Sequence, residues 1–236
     1  MDQETLKLRR LSAQYLLAPA SRLHVVRAMD GFQAQFLSNA MHAMRLRSAD
    51  PDAGYAADGL VKSWTLRGTM HIFAEADLPL FLHTGCRYRS RDWTVPSFWN
   101  QRPDWALTPK RQAYFSDLII DALAQGPMTR EALKARCRAA GMTQAEEGSI
   151  FHPWGGGIRE LCERGFLCGT VSEEKAFRLC PAFTPMEEQD ALLEQTRRYF
   201  TNYGPASIRD AAYYFGTSQA EIEKRLARLP VEAAEY

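Results

Sequence analysis

The chain has 236 residues, with few cysteines, no closely paired cysteines and no long apolar run. Its five cysteines form no Cys-x-x-Cys pair and its five histidines are scattered, which argues against a disulfide framework and a zinc site. No apolar run approaches the ~20 residues that a membrane-spanning helix needs. Charged residues interrupt the start of the chain, so we expect no signal peptide. These absences predict a soluble, cytoplasmic protein with reduced thiols.

An excess of charge of either sign is also missing. The chain has 29 basic and 28 acidic side chains, for a formal net charge of +1. Binding to nucleic acid therefore cannot be argued from net charge and would need basic residues gathered on one surface. At 46% hydrophobic residues the chain has ample material for folded cores, which excludes bulk disorder. Its length suggests two or three small domains.

The first 95 residues predict three helices and a β-hairpin. We expect helices over residues 5–18 and 21–29, and a third over 29–44, where apolar residues recur at i, i+3, i+4 and i+7. Two β-rich runs at 61–66 and 69–73 flank Arg67-Gly68 and predict a hairpin in which Trp64 lies opposite His71. A further helix is expected over 78–86. Three helices followed by a hairpin is the order of a winged helix.

The same order recurs twice along the chain. Helices predicted over 110–125, 129–141 and 158–164 are followed by β-rich runs at 165–171 and 176–179. Helices predicted over 191–202, 207–215 and 219–229 begin a third copy that has no wing. The fold class is therefore mainly α with small β-hairpin wings, in tandem winged-helix repeats of which the third is incomplete. We predict modules at 1–95, 110–184 and 185–236, with a linker at 96–109.

Gln33 and Gln35 form the polar pair that most suggests chemistry. On a regular helix, residues i and i+2 point about 200° apart, so the two amides converge only if the helix starts around them. A purely structural alternative is a capping box, with Asp30 as N-cap and Gln33 three residues on. A neutral amide can hold a water and place its oxygen near a developing positive charge, although it cannot act as a base near neutral pH.

Basic residues at several places are candidates for contact with DNA. The hairpin tip, residues 67–71, could enter a groove or touch phosphates, although His71 stacked on aromatic neighbours is the structural alternative. Basic and aromatic residues alternate over 87–93, which suits phosphate contact and base stacking as well as a solvated surface over buried rings. The other candidates are charges on helix surfaces. The full set is Arg9, Arg10, Arg45, Arg47, Arg67, Thr69, His71, Arg87, Arg89 and Arg91.

Two stretches, DGFQAQFLSNA at 30–40 and LVKSWTLRGTMHIFAEADLP at 60–79, resemble the winged-helix DNA glycosylase family typified by AlkZ and YcaQ. RYFTNYGPASIRDAAYYFGTS at 198–218 looks like the third helix-turn-helix of that family. The resemblance implies a body of tandem winged helices around duplex DNA that hydrolyses the N-glycosidic bond of alkylated purines or unhooks interstrand crosslinks. Gln33 and Gln35 match the Gln-x-Gln motif of the AlkZ branch, since the YcaQ branch has an acidic residue at the second position. Family members usually continue with a third wing, so we expect a short homologue or a fragment.

We therefore expect a DNA-repair glycosylase that binds duplex DNA and needs no metal or organic cofactor. Gln33 and Gln35 would position the water and stabilise the sugar cation. One alternative is a winged-helix DNA-binding protein, such as a regulator, in which the glutamines only cap a helix. Another is a fragment whose repeats form a platform for a protein partner.

Overall fold

The protein is described here by a computed structural model that covers residues 1–50, 59–65, 68–82 and 91–233. Eleven α-helices, one short 3-10 helix (Glu75–Asp77) and six strands lie in this part of the chain. The helices are α1 (Gln3–Ala13), α2 (Arg22–Ala28), α3 (Leu37–Arg45), α4 (Leu78–Phe81), α5 (Pro109–Leu123), α6 (Arg130–Ala139), α7 (Gln144–Ile150), α8 (Gly156–Glu163), α9 (Glu188–Tyr203), α10 (Ile208–Phe215) and α11 (Gln219–Leu226). The strands are β1 (Phe32–Gln33), β2 (Leu60–Trp64), β3 (Met70–Ala74), β4 (Met128–Thr129), β5 (Leu167–Gly169) and β6 (Ala176–Leu179).

The chain divides into two compact units. The first contains residues 1–60, 65–83 and 184–236, and the second contains residues 61–64 and 84–183. The first unit therefore combines segments from both ends of the sequence. None of the helices described above is both long and apolar enough to cross a bilayer.

In the first unit, the antiparallel pair β1 and β3 lies among helices. Phe32 lies opposite Ile72 and Gln33 lies opposite His71. Helix α2 packs against β3, and α9 contacts α1, α4 and α11. Helix α9 thereby connects the C-terminal helices to the elements that surround the strand pair.

Sequence signals account for the ends of the C-terminal helices. Ser207 caps α10 and exchanges hydrogen bonds with Asp210 in a capping box. Gly216 ends the same helix in the left-handed region at φ 63°, where glycine carries no Cβ penalty. Ser218 caps α11 by accepting from the backbone N–H of Glu221. These signals lie where the pattern predicts the helices at 207–215 and 219–229.

The second unit has an antiparallel arrangement of β2, β5, β6 and β4, with α5 to α8 around it. Its core is a single large cluster of buried apolar residues that includes Phe115, Leu133, Ile158 and Leu167. Arg164 is buried in an ion pair with Glu160 at 2.6 Å. Among the cysteines in the described ranges, which are Cys137, Cys162, Cys168 and Cys180, none forms a disulfide bond.

The predicted third helix is wrong over its first half. Helix α3 begins at Leu37, and the residues before it are extended. Asp30 and Gly31 both have positive φ, at 55° and 80°, so the chain turns after α2 instead of continuing as a helix. The backbone N–H of Ala34 then donates to the carbonyl of Met70 at 2.7 Å, which holds this segment along β3. Asp30 is therefore not an N-cap, and the predicted capping box with Gln33 is wrong.

The predicted hairpin register is wrong by one residue. The backbone N–H of Thr65 donates to the carbonyl of Thr69 at 3.0 Å, so Thr65 lies opposite Thr69 and not Met70. Both predicted strands are present as β2 and β3, and the later pair is present as β5 and β6.

Other elements differ in extent. Helix α1 ends at Ala13, because Tyr15 has φ 60° and cannot continue it. Helix α7 was not predicted, although Thr143 and Glu146 form its capping box. Helix α4 covers the start of the helix predicted at 78–86, and the rest lies outside the described residues. The three-module division with its linker stays a prediction.

Candidate active site

Gln33 and Gln35 are both exposed, Gln33 at the end of β1 and Gln35 in the bend that follows it. The residues that alternate with them, Phe32 and Ala34, are buried, with 9% and 2% of their surface exposed. This alternation of buried and exposed residues leaves both glutamine side chains at the surface of the first unit. Neither amide has a hydrogen-bond partner within the described ranges.

The strand pair also brings the predicted hairpin residues to the glutamines. Gln33 is the direct cross-strand partner of His71. Directly opposed residues of an antiparallel pair have side chains on the same face, so Gln33 and His71 define one surface. Gln35 and Thr69 lie two residues from Gln33 and His71 along the chain, next to this surface. We call these four residues, Gln33, Gln35, Thr69 and His71, the amide face.

His71 is half-buried, and its orientation is set within β3. The ring Nδ1 lies 3.1 Å from the carbonyl oxygen of Thr69. A carbonyl oxygen can only accept, so Nδ1 carries a proton in this contact.

The turn before β1 requires glycine. Gly31 has φ 80°, and a Cβ added there would lie 2.5 Å from the carbonyl oxygen of Ile72. Backbone of the partner strand thus approaches Gly31 too closely for any side chain. The close approach fixes where β1, and with it Gln33, begins.

A buried arginine ties this turn to the end of β3. Arg198 of α9 donates to both carboxylate oxygens of Asp77, at 3.0 and 2.9 Å. It also donates to the carbonyl oxygen of Arg27 at 3.0 Å and to Glu194 at 2.8 Å. One guanidinium therefore contacts the segment that leads into β1 and the segment that follows β3. These two segments adjoin the strands that carry Gln33 and His71.

Asp30 is the weakly bound member of this network. Its carboxylate oxygen lies 3.7 Å from Arg198, and its side chain is 1% exposed. Burial raises the pKa of Asp30 well above its ordinary value, despite the opposing charge of Arg198. For Arg198 itself, burial lowers the pKa, but hydrogen bonds to Asp77 and Glu194 outweigh it, and the net shift is upward. Tyr203 adds a further contact to the turn by donating to the carbonyl of Met29 at 3.1 Å.

The basic residues predicted to contact DNA differ in their exposure and in the contacts that they make within the protein. Arg9 and Arg45 are exposed. Arg10 donates to the carbonyl of Pro205 at 2.8 Å, so it has a structural contact. In the second unit, Arg91 pairs with Asp117 at 2.8 Å. Three further candidates, Arg67, Arg87 and Arg89, lie outside the described residues.

Arg47 is half-buried and largely engaged. Its guanidinium donates to the carbonyl of Ala43 at 2.9 Å and lies over the ring of Phe32, 5.7 Å from the centroid. Burial lowers its pKa. The guanidinium thus packs on Phe32, the residue that precedes Gln33. Arg47 therefore stabilises the position of Gln33 from the buried side of β1.

Sequence reasoning missed two features of this site. One is the Arg198 network, whose partners are far apart in sequence. The other is Phe36, which directly follows Gln35 and is 69% exposed. Its place beside the Gln-x-Gln motif was the available signal. Among the described residues, no group of three or more His, Cys, Asp or Glu side chains is arranged to hold a metal ion.

Comparison with known proteins identifies the family. Residues 26–235 match the family described as DNA glycosylase AlkZ-like. The chain is 30% identical over 201 residues to the "Interstrand DNA cross-link repair glycosylase" of Streptomyces sahachiroi, an alignment that covers 78% of this chain and 52% of that protein. The solved structure of the Streptomyces sahachiroi DNA glycosylase AlkZ superposes with a TM-score of 0.71 at 24% identity. That superposition covers 98% of this chain and 66% of the AlkZ chain.

The family match spans most of the sequence, and the chain belongs to the AlkZ-like DNA glycosylase family. The structural likeness shows the same fold. The chain spans about half the length of the curated relative that it matches.

Proposed function

We propose that this chain is a DNA glycosylase that hydrolyses the N-glycosidic bond of an alkylated or crosslinked purine in duplex DNA. The observation that carries the proposal is the amide pair, with Gln33 and Gln35 two residues apart, both exposed and without hydrogen-bond partners in the described part of the chain. Family membership supports the reaction class. The name of the Streptomyces sahachiroi relative supports the inclusion of crosslinked purines.

A pair of neutral amides suits a substrate whose base is already activated. Alkylation of a ring nitrogen gives the purine a positive charge, so the base leaves readily. As the glycosidic bond breaks, its electron pair goes to the base and neutralises that charge, while positive charge develops on the sugar. An amide oxygen beside the sugar stabilises this charge.

The second amide can hold the water that adds to the sugar carbon. Glutamine is not a base at neutral pH, so the proton of the water passes to solvent after the new C–O bond has formed. The contribution of the pair is therefore positioning and electrostatic stabilisation. No metal or organic cofactor enters this scheme, because the charged base supplies the activation.

The remaining members of the amide face and the exposed arginines are proposed to hold the DNA. His71 lies opposite Gln33, and Thr69 is two residues before it, so both are candidates to contact the sugar–phosphate backbone next to the lesion. Arg9 and Arg45 are exposed and can neutralise phosphates. Arg91 is the candidate in the second unit.

The test is a base-release assay on duplex DNA that carries a single N7-alkylated guanine. Gln33→Ala and Gln35→Ala are each expected to slow release by at least about tenfold, since removal of one stabilising group at a developing charge commonly costs more. Gln189→Ala, at an exposed glutamine of α9 in the same unit, is the matched control and should release base at the unchanged rate.

Two outcomes would contradict the proposal. Equal release by the unsubstituted chain and a Gln33→Ala, Gln35→Ala double variant would remove the amides from the chemistry. Tight binding of duplex DNA with no base release from any alkylated substrate would favour the non-enzymatic DNA-binding alternative.

A further inference from the structure

Phe36 is a large apolar side chain on this surface to which the proposed chemistry gives no role. Its ring is 69% exposed, whereas Phe32, four residues earlier, is 9% exposed. Exposed apolar residues are common on protein surfaces. The position of Phe36 is what sets it apart, because it directly follows Gln35 at the end of the extended segment.

Phe36 also contributes little to the fold. It occupies the N-cap position of α3, with φ −113° and ψ 114°, and makes no side-chain capping bond. Ser, Thr, Asp and Asn stabilise helix starts because their side chains satisfy orphan N–H groups, and phenylalanine cannot. The ring therefore neither caps the helix nor fills the core.

The backbone around Phe36 is held on both sides. On one side, Ala34 is bonded to Met70 at 2.7 Å. On the other, the N–H groups of Asn39 and Ala40 donate to the carbonyl of Phe36 at 3.2 and 3.4 Å. The exposed ring is thus presented by ordered backbone beside the two amides.

We propose that Phe36 stacks on a nucleobase of bound DNA at the position next to the amide face. An aromatic ring stacks on the face of any base, so this contact selects DNA with an accessible base face, such as an unstacked or unpaired base at the lesion. The proposal deepens the proposed function, on which it rests for the choice of DNA as the ligand. It makes Phe36 a residue that holds the lesion site against Gln35.

The test uses a duplex in which 2-aminopurine lies beside a stable abasic analogue. This probe has no base to release, so binding is measured without catalysis. Phe36→Ala is expected to weaken binding by at least about tenfold, the usual size of a lost base–aromatic stack. It should also abolish the change in 2-aminopurine fluorescence on binding. Phe36→Trp should retain both.

Leu46→Ala is the matched control, because Leu46 is an exposed apolar residue, 52% accessible, at the C-cap of the same helix. It should leave affinity and fluorescence unchanged. Circular dichroism should be the same for all variants, since both side chains are exposed. Unchanged affinity and fluorescence in Phe36→Ala would overturn the proposal.

The two proposals fail in different ways. A stacking signal that depends on Phe36, with no base release from any alkylated duplex, would support the role of Phe36 and overturn the glycosylase proposal. Base release that depends on Gln33 and Gln35, with no effect of Phe36→Ala on binding, would support the glycosylase proposal and overturn the role of Phe36. If the unsubstituted chain does not bind the probe, the Phe36 proposal is wrong.

Discussion

Arg198 and Asp77 form a two-pronged hydrogen-bonded ion pair, with distances of 3.0 and 2.9 Å, between α9 and the turn that follows β3. Both side chains are nearly buried, at 10% and 4% exposure. The two residues are 121 positions apart, so this pair joins the two ends of the sequence that make up the first unit.

Arg198→Met should strongly destabilise the first unit. Removing one partner of a buried ion pair leaves the other charge uncompensated, which costs about 3–5 kcal/mol. Arg197→Met is the matched control on the same helix, since its side chain is 49% exposed and pairs with Glu194. An exposed pair contributes only about 0.2–1 kcal/mol. Urea unfolding measures both, and similar losses for the two variants would show that the buried pair adds little.

Gly31→Ala should destabilise more than Gly216→Ala in the same unit. Both glycines have positive φ, so each alanine carries a strain of about 1–2 kcal/mol. The added Cβ at Gly31 would also meet the carbonyl oxygen of Ile72 at 2.5 Å, whereas nothing lies within 4 Å of the position at Gly216. Thermal unfolding should therefore show a distinctly larger loss for Gly31→Ala. Equal losses would mean that β1 can move away from β3 without cost.

Acid should destabilise the second unit partly through Glu146. Two hydrogen bonds from Arg111, at 2.6 and 2.8 Å, lower the pKa of Glu146 to about 2. A carboxyl whose pKa is lower in the folded state stabilises fully above its unfolded pKa of about 4.3, and loses that contribution as the pH falls toward 2. Glu146→Gln should therefore be less stable at neutral pH and show a shallower decline between about pH 5 and 2.

Stability of both forms against urea, measured across this pH range, checks the prediction. Glu174→Gln, at an exposed position in the turn between β5 and β6, is the control and should follow the unsubstituted chain. An unchanged pH profile in Glu146→Gln would contradict the assignment.

If the chain binds DNA as proposed, Arg45 and Arg10 should behave differently. Arg45 is exposed, whereas Arg10 donates to the carbonyl of Pro205. Arg45→Ala should weaken binding for any duplex sequence and reduce the slope of log K against log salt by about 1, as expected for one lost phosphate contact. Arg10→Ala should leave the slope unchanged. Titrations at several salt concentrations decide this, and identical slopes in all three proteins would exclude Arg45 as a phosphate contact.

The sequence was enough to single out Gln33 and Gln35 as candidate site residues, but it did not predict their backbone conformation. The helical spacing of apolar residues from Phe36 onward extends back over residues 29–35, so the pattern alone favours one long helix. The Asp30-Gly31 dipeptide is a turn signal, and it correctly marks where α2 ends and the chain reverses. A turn at Asp30-Gly31 separates Gln33 from α2 and leaves it free to pair in a strand.

The pairing of distant segments could not have been predicted from the spacing of residues. Nothing near Arg198 indicates that its partner is Asp77 or that it contacts the carbonyl of Arg27. The predicted hairpin register is wrong by one residue, because the register is fixed by the length of the loop and not by the pattern of side chains. Capping boxes, in contrast, were readable locally, as the unpredicted α7 shows at Thr143 and Glu146.

Arg198 contacts the segment before β1 and the segment after β3, which has a practical consequence for work on the glutamines. A truncated protein that stops after residue 183 would lack all of α9, including Arg198. The carboxylates of Asp30 and Asp77, which are buried near Arg198 in the intact protein, would then be exposed or left without a cation. A fragment of residues 1–183 alone should therefore be insoluble or unfolded. The smallest useful version has to keep both ends of the sequence.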